Sequence, residues 1–258
     1  MLGVAHSRRA ASGASAGWRS WWPTRTRLRL GETDVSDRPA RPAWLRTTTA
    51  ENRLPVLLTV LVAIALQSSL PSRLTIPPRA LLPGLELALL LVLTAFNPVR
   101  LNRESRLLRL GSIALAALVS LANAGSALLL ADRLIGGNAT EDAGTLLRVG
   151  GSIYLTNVIA FGLLYWEYDR GGPAARRQGQ HPHGDFLFAQ MASPDCAAPD
   201  WEPRFIDYLY VSFTNATAFS PTDTLPLARW AKVLMTVQSI VALVTVALVV
   251  ARAVNVLK

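Results

Sequence analysis

Residues 233–251 read VLMTVQSIVALVTVALVVA, nineteen positions without a charge, with Thr236, Gln238, Ser239 and Thr245 as the polar side chains. A helix needs roughly 20 predominantly apolar residues to cross a hydrocarbon core about 30 Å thick. Backbone at that depth finds no water, so it closes its own hydrogen bonds as a helix or a barrel. Trp230 and Lys232 stand just before the run, where an aromatic ring and a cation suit the headgroup region. The stretch is therefore predicted to be a transmembrane helix.

Upstream the pattern recurs. Residues 54–70 begin with Pro55, placed where a missing N–H costs least. Residues 80–96 are closed by Asn97-Pro98, residues 110–131 run to Asp132, and residues 149–166 end in the cluster Tyr165, Trp166 and Tyr168. With 233–251 these make five predicted spans, the first two near the lower length limit of about 17 residues.

A sixth apolar stretch, residues 205–219, reads FIDYLYVSFTNATAF. It carries Asp207 near its start and Ser212, Thr214, Asn215 and Thr217 in its second half, and Pro221 and Asp223 end it. Apolar segments of about 10–14 residues are more often re-entrant or interfacial than spanning. The predicted element is a re-entrant half-helix over 205–219, followed by a filter-like loop over 220–226.

Composition agrees. The chain has 258 residues, 51% of them hydrophobic and 17% charged, with a mean hydropathy of +0.29 and a net charge of +9; soluble domains carry about 25% charged residues. Residues 1–53 hold ten arginines against four acids and lack apolar periodicity, so they read as a disordered tail. Residues 54–258 form the expected transmembrane domain. The fold class is all-α: a polytopic helical membrane protein of about five transmembrane helices plus the half-helix. The basic residues mostly flank apolar segments, which is membrane topology rather than nucleic-acid binding. Arginine outnumbers lysine 24 to 2, a coding bias that fits a GC-rich bacterial genome, and the expected location is the plasma membrane. The single cysteine, Cys196, excludes an intrachain disulfide. No phosphate-binding loop, nucleophile elbow or His-Glu-x-x-His occurs, so neither an enzyme nor a cofactor is expected. His181 and His183 fall short of the three or four ligands of a closed metal site.

Residues 208–232, YLYVSFTNATAFSPTDTLPLARWAK, resemble the pore helix, filter and inner-helix start of tetrameric potassium channels. That family's filter reads T-V-G-Y-G-D, with a proline three residues on. Asp223 takes the aspartate position and Pro226 the proline, while Thr214 and Thr217 fall on pore-helix threonines. Asn215 lies between them. In the filter, Ala218 replaces the threonine, Phe219 the valine, Ser220 and Thr222 the two glycines, and Pro221 the tyrosine. A potassium filter is a ring of backbone carbonyls; Pro221 fixes its own φ and restricts Ser220. Usual potassium selectivity is therefore not expected. The same stretch resembles the bacterial membrane family known as domain of unknown function 1345, through Asp207, Leu209, Tyr210, Ser212, Phe213, Thr214, Phe219 and Asp223.

The resemblance implies a homotetramer in the lipid bilayer that passes monovalent cations; the alternative is a non-conducting scaffold or partner-binding protein. Charge sets a further condition. Arginines 100, 103, 106 and 109 after the second span, and 170, 176 and 177 after the fourth, join the tail on the cytoplasmic side. Five crossings then make the re-entrant loop open inward, whereas the channel family's opens outward. Either an early segment does not cross, or the tail is outside, or the mouth has the opposite polarity. Within the spans, Asn123, Asn157 and Gln238 read as interhelical hydrogen-bond contacts. Glu86 reads as a carboxylate near a helix N-terminus, where the dipole favours it.

Overall fold

The computed structural model describes residues 42–49, 51–96, 106–136, 142–179, 183–217 and 223–256. The protein is predominantly helical. Each apolar run forms a helix: α1 Leu54–Ser69, α2 Leu81–Phe96, α3 Arg106–Ile135, α4 Ala143–Tyr168 and, last in the chain, α8 Arg229–Val256. Two one-turn helices, α5 Pro173–Arg177 and α6 Ala189–Ala192, and the half-length α7 Phe205–Thr217 lie between α4 and α8.

Helices α3, α4 and α8 are long and apolar enough to cross a membrane. At 16 residues each, α1 and α2 are shorter, about 24 Å at 1.5 Å per residue. The long helices outrun their predicted spans at both ends because charged residues extend them: Arg106 and Arg109 open α3, Arg133 closes it, and Arg229 opens α8. At the start of α4 the Asp142 carboxylate accepts the Thr145 backbone N–H at 3.0 Å and its hydroxyl at 2.7 Å. Those bonds hold the Asp142 carboxyl below its ordinary range.

Successive long helices run in alternating directions, which defines two ends. At the near end Glu51, just before α1, accepts from Trp166 at the end of α4, and Arg53 donates to the Leu93 carbonyl in the last turn of α2. The first turns of α3 are there too, since Ser112 shares a cavity wall with Arg53 and Glu167. At the far end Leu70, Leu74, Leu130, Val149, Ile153 and Val249 form one cluster, joining the end of α1, the α3 C-terminal half, the start of α4 and the end of α8.

Helix α4 is the central element, packed against α1, α3, α7 and α8. In its apolar window 72% of residues are buried, against 28% in α8. The exposed side of α8 is apolar: Val233, Val237, Ile240, Val244 and Val254 all lie open. Two glycines on α4 allow close approach. A Cβ on Gly150 would sit 2.6 Å from Val249 of α8, and one on Gly162 would sit 3.2 Å from the Leu209 backbone of α7.

The expected tail boundary at Arg53 meets a packed segment. Ala43 is buried, the Trp44 carbonyl accepts from Arg170, and Thr48 donates to the Arg177 carbonyl. Residues 42–49 and 51–53 thus lie against the near end of the bundle. The segment after α4 folds back on that end as well, through a short antiparallel pair of β1 Phe186–Leu187 and β2 Leu225–Pro226.

Candidate functional site

Helix α7 begins at the near end and descends along α4. The Asp207 carboxylate accepts the Arg204 backbone N–H at 2.8 Å, the carboxylate half of a capping box. Phe205 packs on Trp166. Further down, Ser212 donates to the Val158 carbonyl at 2.6 Å, so α7 runs antiparallel to α4. Asn215 then reaches Met235 of α8. By residues 225–226 the chain is back at the near end, paired with 186–187, and Leu227 and Ala228 donate to the Asp185 carbonyl. Trp230 packs against Tyr168 at the end of α4. Entry and return are therefore on the same side of the bundle.

One side chain holds the descending part together. Gln238 is fully buried on α8; its amide nitrogen donates to Ser212 Oγ at 2.6 Å and to the Ser212 carbonyl at 2.9 Å. Its amide oxygen accepts the Tyr165 hydroxyl at 2.6 Å and Asn215 Nδ2 at 2.9 Å. Asn157 donates to the Gln238 carbonyl at 3.3 Å, and Ser239 to the Asn215 carbonyl at 3.3 Å. Donors and acceptors from α4, α7 and α8 satisfy one another. Asn157 and Gln238 make the interhelical contacts expected of them, and Asn123 is buried on α3.

A second network closes the near end. Asp169 is fully buried and accepts the Tyr208 hydroxyl at 2.5 Å, the Asp185 N–H at 2.9 Å and Arg170 Nε at 3.2 Å. Asp185 in turn accepts the Arg170 N–H at 2.8 Å and Trp230 Nε1 at 3.2 Å. The Arg176 guanidinium donates to the Trp166 and Asp169 carbonyls and lies 4.9 Å over the Tyr208 ring. Gly172 adopts φ +93°, and a Cβ there would meet the Glu167 carbonyl at 2.9 Å. Glu51 accepts the Phe205 N–H and the Trp166 indole; burial pushes its carboxyl up, against the opposing pull of Arg176. These bonds fasten α7 and α8 to the end of α4.

Of the pore residues expected from sequence, Ala218, Phe219, Ser220, Pro221 and Thr222 lie outside the described residues. Asp223 is exposed at the start of the return. The Thr214 and Thr217 hydroxyls donate to carbonyls of their own helix, to Tyr210 and Phe213 at 2.9 Å each. Asn215 faces α8 rather than its two threonine neighbours. Sequence reasoning missed Glu51, Asp169, Arg176, Tyr208 and Trp230 as a connected group. They come from five separate stretches, and the only signal was the density of aromatic residues beside charge. Comparison with protein-family models, curated proteins and solved structures finds no match.

Proposed function

We propose that the chain is a multi-pass membrane protein in which α1, α2, α3, α4 and α8 cross the bilayer and α7 enters part-way and returns. Helix α4 is the outer helix and α8 the inner helix of a potassium-channel-like unit. The unit assembles as a homotetramer and passes monovalent cations without the usual potassium selectivity. The observation that carries this reading is the placement of residues 205–217, running down beside α4, and of residues 225–230, back at the end where α7 began. A 13-residue helix of about 20 Å fits a half-membrane element. The open apolar face of α8 suits lipid or the partner copies around a pore axis.

The alternation of α1 to α4 supports the third of the orientation alternatives. Among the described residues the near end carries nine arginines (46, 53, 106, 109, 170, 176, 177, 204 and 229) and the far end five (73, 79, 133, 148 and 252). The positive-inside rule then puts the near end, with the α7 mouth, in the cytoplasm. This is a pore topology of inverted polarity.

One observation favours a non-conducting scaffold instead. Ser212 and Asn215 are engaged by Gln238, and the α7 threonines bond their own helix, so these groups brace the hairpin rather than face an ion. The discriminating experiment is cation flux into vesicles loaded with a potassium- or sodium-sensitive dye, together with native mass spectrometry in mild detergent. A tetramer with flux altered by Asp223→Asn supports conduction. A monomer without flux, in which Ser220→Gly changes only stability or partner recovery, supports the scaffold.

A further inference from the structure

Away from the α7 hairpin, two buried polar side chains stand outside both networks. Glu86, in the second turn of α2, is fully buried, and neither carboxylate oxygen has a hydrogen-bond partner among the described residues. Gln67, in the last turn of α1, lies beside it at 4% exposure, and its amide nitrogen is likewise without a partner. Helix α1 has no titratable residue, and those of α3 are confined to its first and last turns: Arg106, Arg109, Asp132 and Arg133. An ionised carboxylate with no partner in an apolar interior is costly even after relaxation.

Gln67 also lines a cavity of about 20 Å³, with Thr75, Arg79 and Ser126 as its other polar residues. That volume accommodates one water molecule. Leu82 and Pro83, one turn before Glu86, form part of its wall. Arg79, the only charged residue lining it, is exposed, and its guanidinium donates to the Ser68 carbonyl at 2.6 Å. The cavity therefore leads from Gln67, the neighbour of Glu86, to the surface at the α1–α2 turn.

We propose that Glu86 is a proton-binding site, loaded through this cavity from the aqueous phase at the far end. Hydronium gives its proton to the carboxylate, leaving water and a neutral carboxylic acid. The acid O–H then donates to the Gln67 amide oxygen, and the Gln67 N–H donates to the acid carbonyl. One proton thereby lets the acid and the amide pair through both of their polar atoms, whereas the ionised carboxylate can only accept the Gln67 N–H. The site is separate from the α7 hairpin and does not depend on whether that hairpin conducts.

Infrared spectroscopy of the full chain in phosphatidylcholine vesicles tests this. The expected result is an acid carbonyl stretch at neutral pH that shifts in deuterated water and disappears in alkali. It is lost in Glu86→Gln and kept in Glu51→Gln and Glu167→Gln. Gln67→Leu is expected to move the band to higher frequency, which keeps the test decisive where Glu86→Gln does not fold. A wild-type spectrum without the band at neutral pH, a band undiminished in Glu86→Gln, or a frequency indifferent to Gln67→Leu overturns the proposal.

Discussion

The α4–α7–α8 seam and the α1–α2 pair both bury polar side chains between apolar helices, yet they treat them oppositely. Around Gln238 the donors and acceptors of Ser212, Asn215 and Tyr165 meet one another. Around Glu86 and Gln67 three polar atoms meet none. The difference teaches how to divide polar residues buried between apolar helices by role. A satisfied network is a brace, and its removal is felt throughout the helices it joins. An unsatisfied pair does little for the fold and is positioned to take something up.

Breaking the brace is expected to cost most. Gln238→Leu strips partners from Ser212, Asn215 and Tyr165 at once, a loss of about 3 kcal/mol given the usual cost of buried unpaired groups. Reversible unfolding in mixed detergent micelles measures it, and a loss below a few tenths of a kcal/mol would remove the seam from the account. Next is the α4–α8 contact at the far end. Gly150→Leu drives a side chain into Val249, which stands 2.6 Å from where a Cβ would fall, at a cost of about 1–3 kcal/mol. Partial rescue by Val249→Ala in the same assay separates this clash from a general loss of helix freedom.

A smaller effect is expected at the α4 cap. Asp142→Ala removes an acceptor for Thr145 and lowers the melting temperature slightly at neutral pH. The Asp142 carboxyl sits below its ordinary range when folded, so its contribution is present above the unfolded value and lost as pH falls through the folded one. Thermal scans in acid should therefore bring variant and wild type together. The smallest effect sharpens the contrast with Gln238. Glu86→Leu combined with Gln67→Leu exchanges the whole buried pair for apolar volume and is expected to leave stability unchanged or raise it.

The helices were legible in the sequence because long uncharged hydrophobic runs favour a helix, which closes its own backbone hydrogen bonds. Residues 54–70, 80–96, 110–131, 149–166 and 233–251 all fall on helices, offset mainly by turns that charged residues extend. The interhelical role of Gln238 was legible too, since a lone amide in such a run needs a partner. Its partners were not: Tyr165 lies 73 residues away and Ser212 26, and no periodicity links them. The near-end lock was hidden for the same reason. Asp169 and Tyr208 look like ordinary loop and helix residues until the chain folds back. Residues 42–49 and 51–53 read as tail because their packing depends on Trp166 and Arg170, which local composition does not reveal.

The central claim is that the α7 hairpin opens at the end that faces the cytoplasm. In a Cys196→Ser background, single cysteines at Thr222→Cys and, as the far-end control, at Ser72→Cys are exposed to a membrane-impermeant maleimide on intact cells and again after the cells are opened. The account expects Ser72→Cys to label from outside and Thr222→Cys only after opening. Labelling of Thr222→Cys on intact cells, with Ser72→Cys protected, would contradict it.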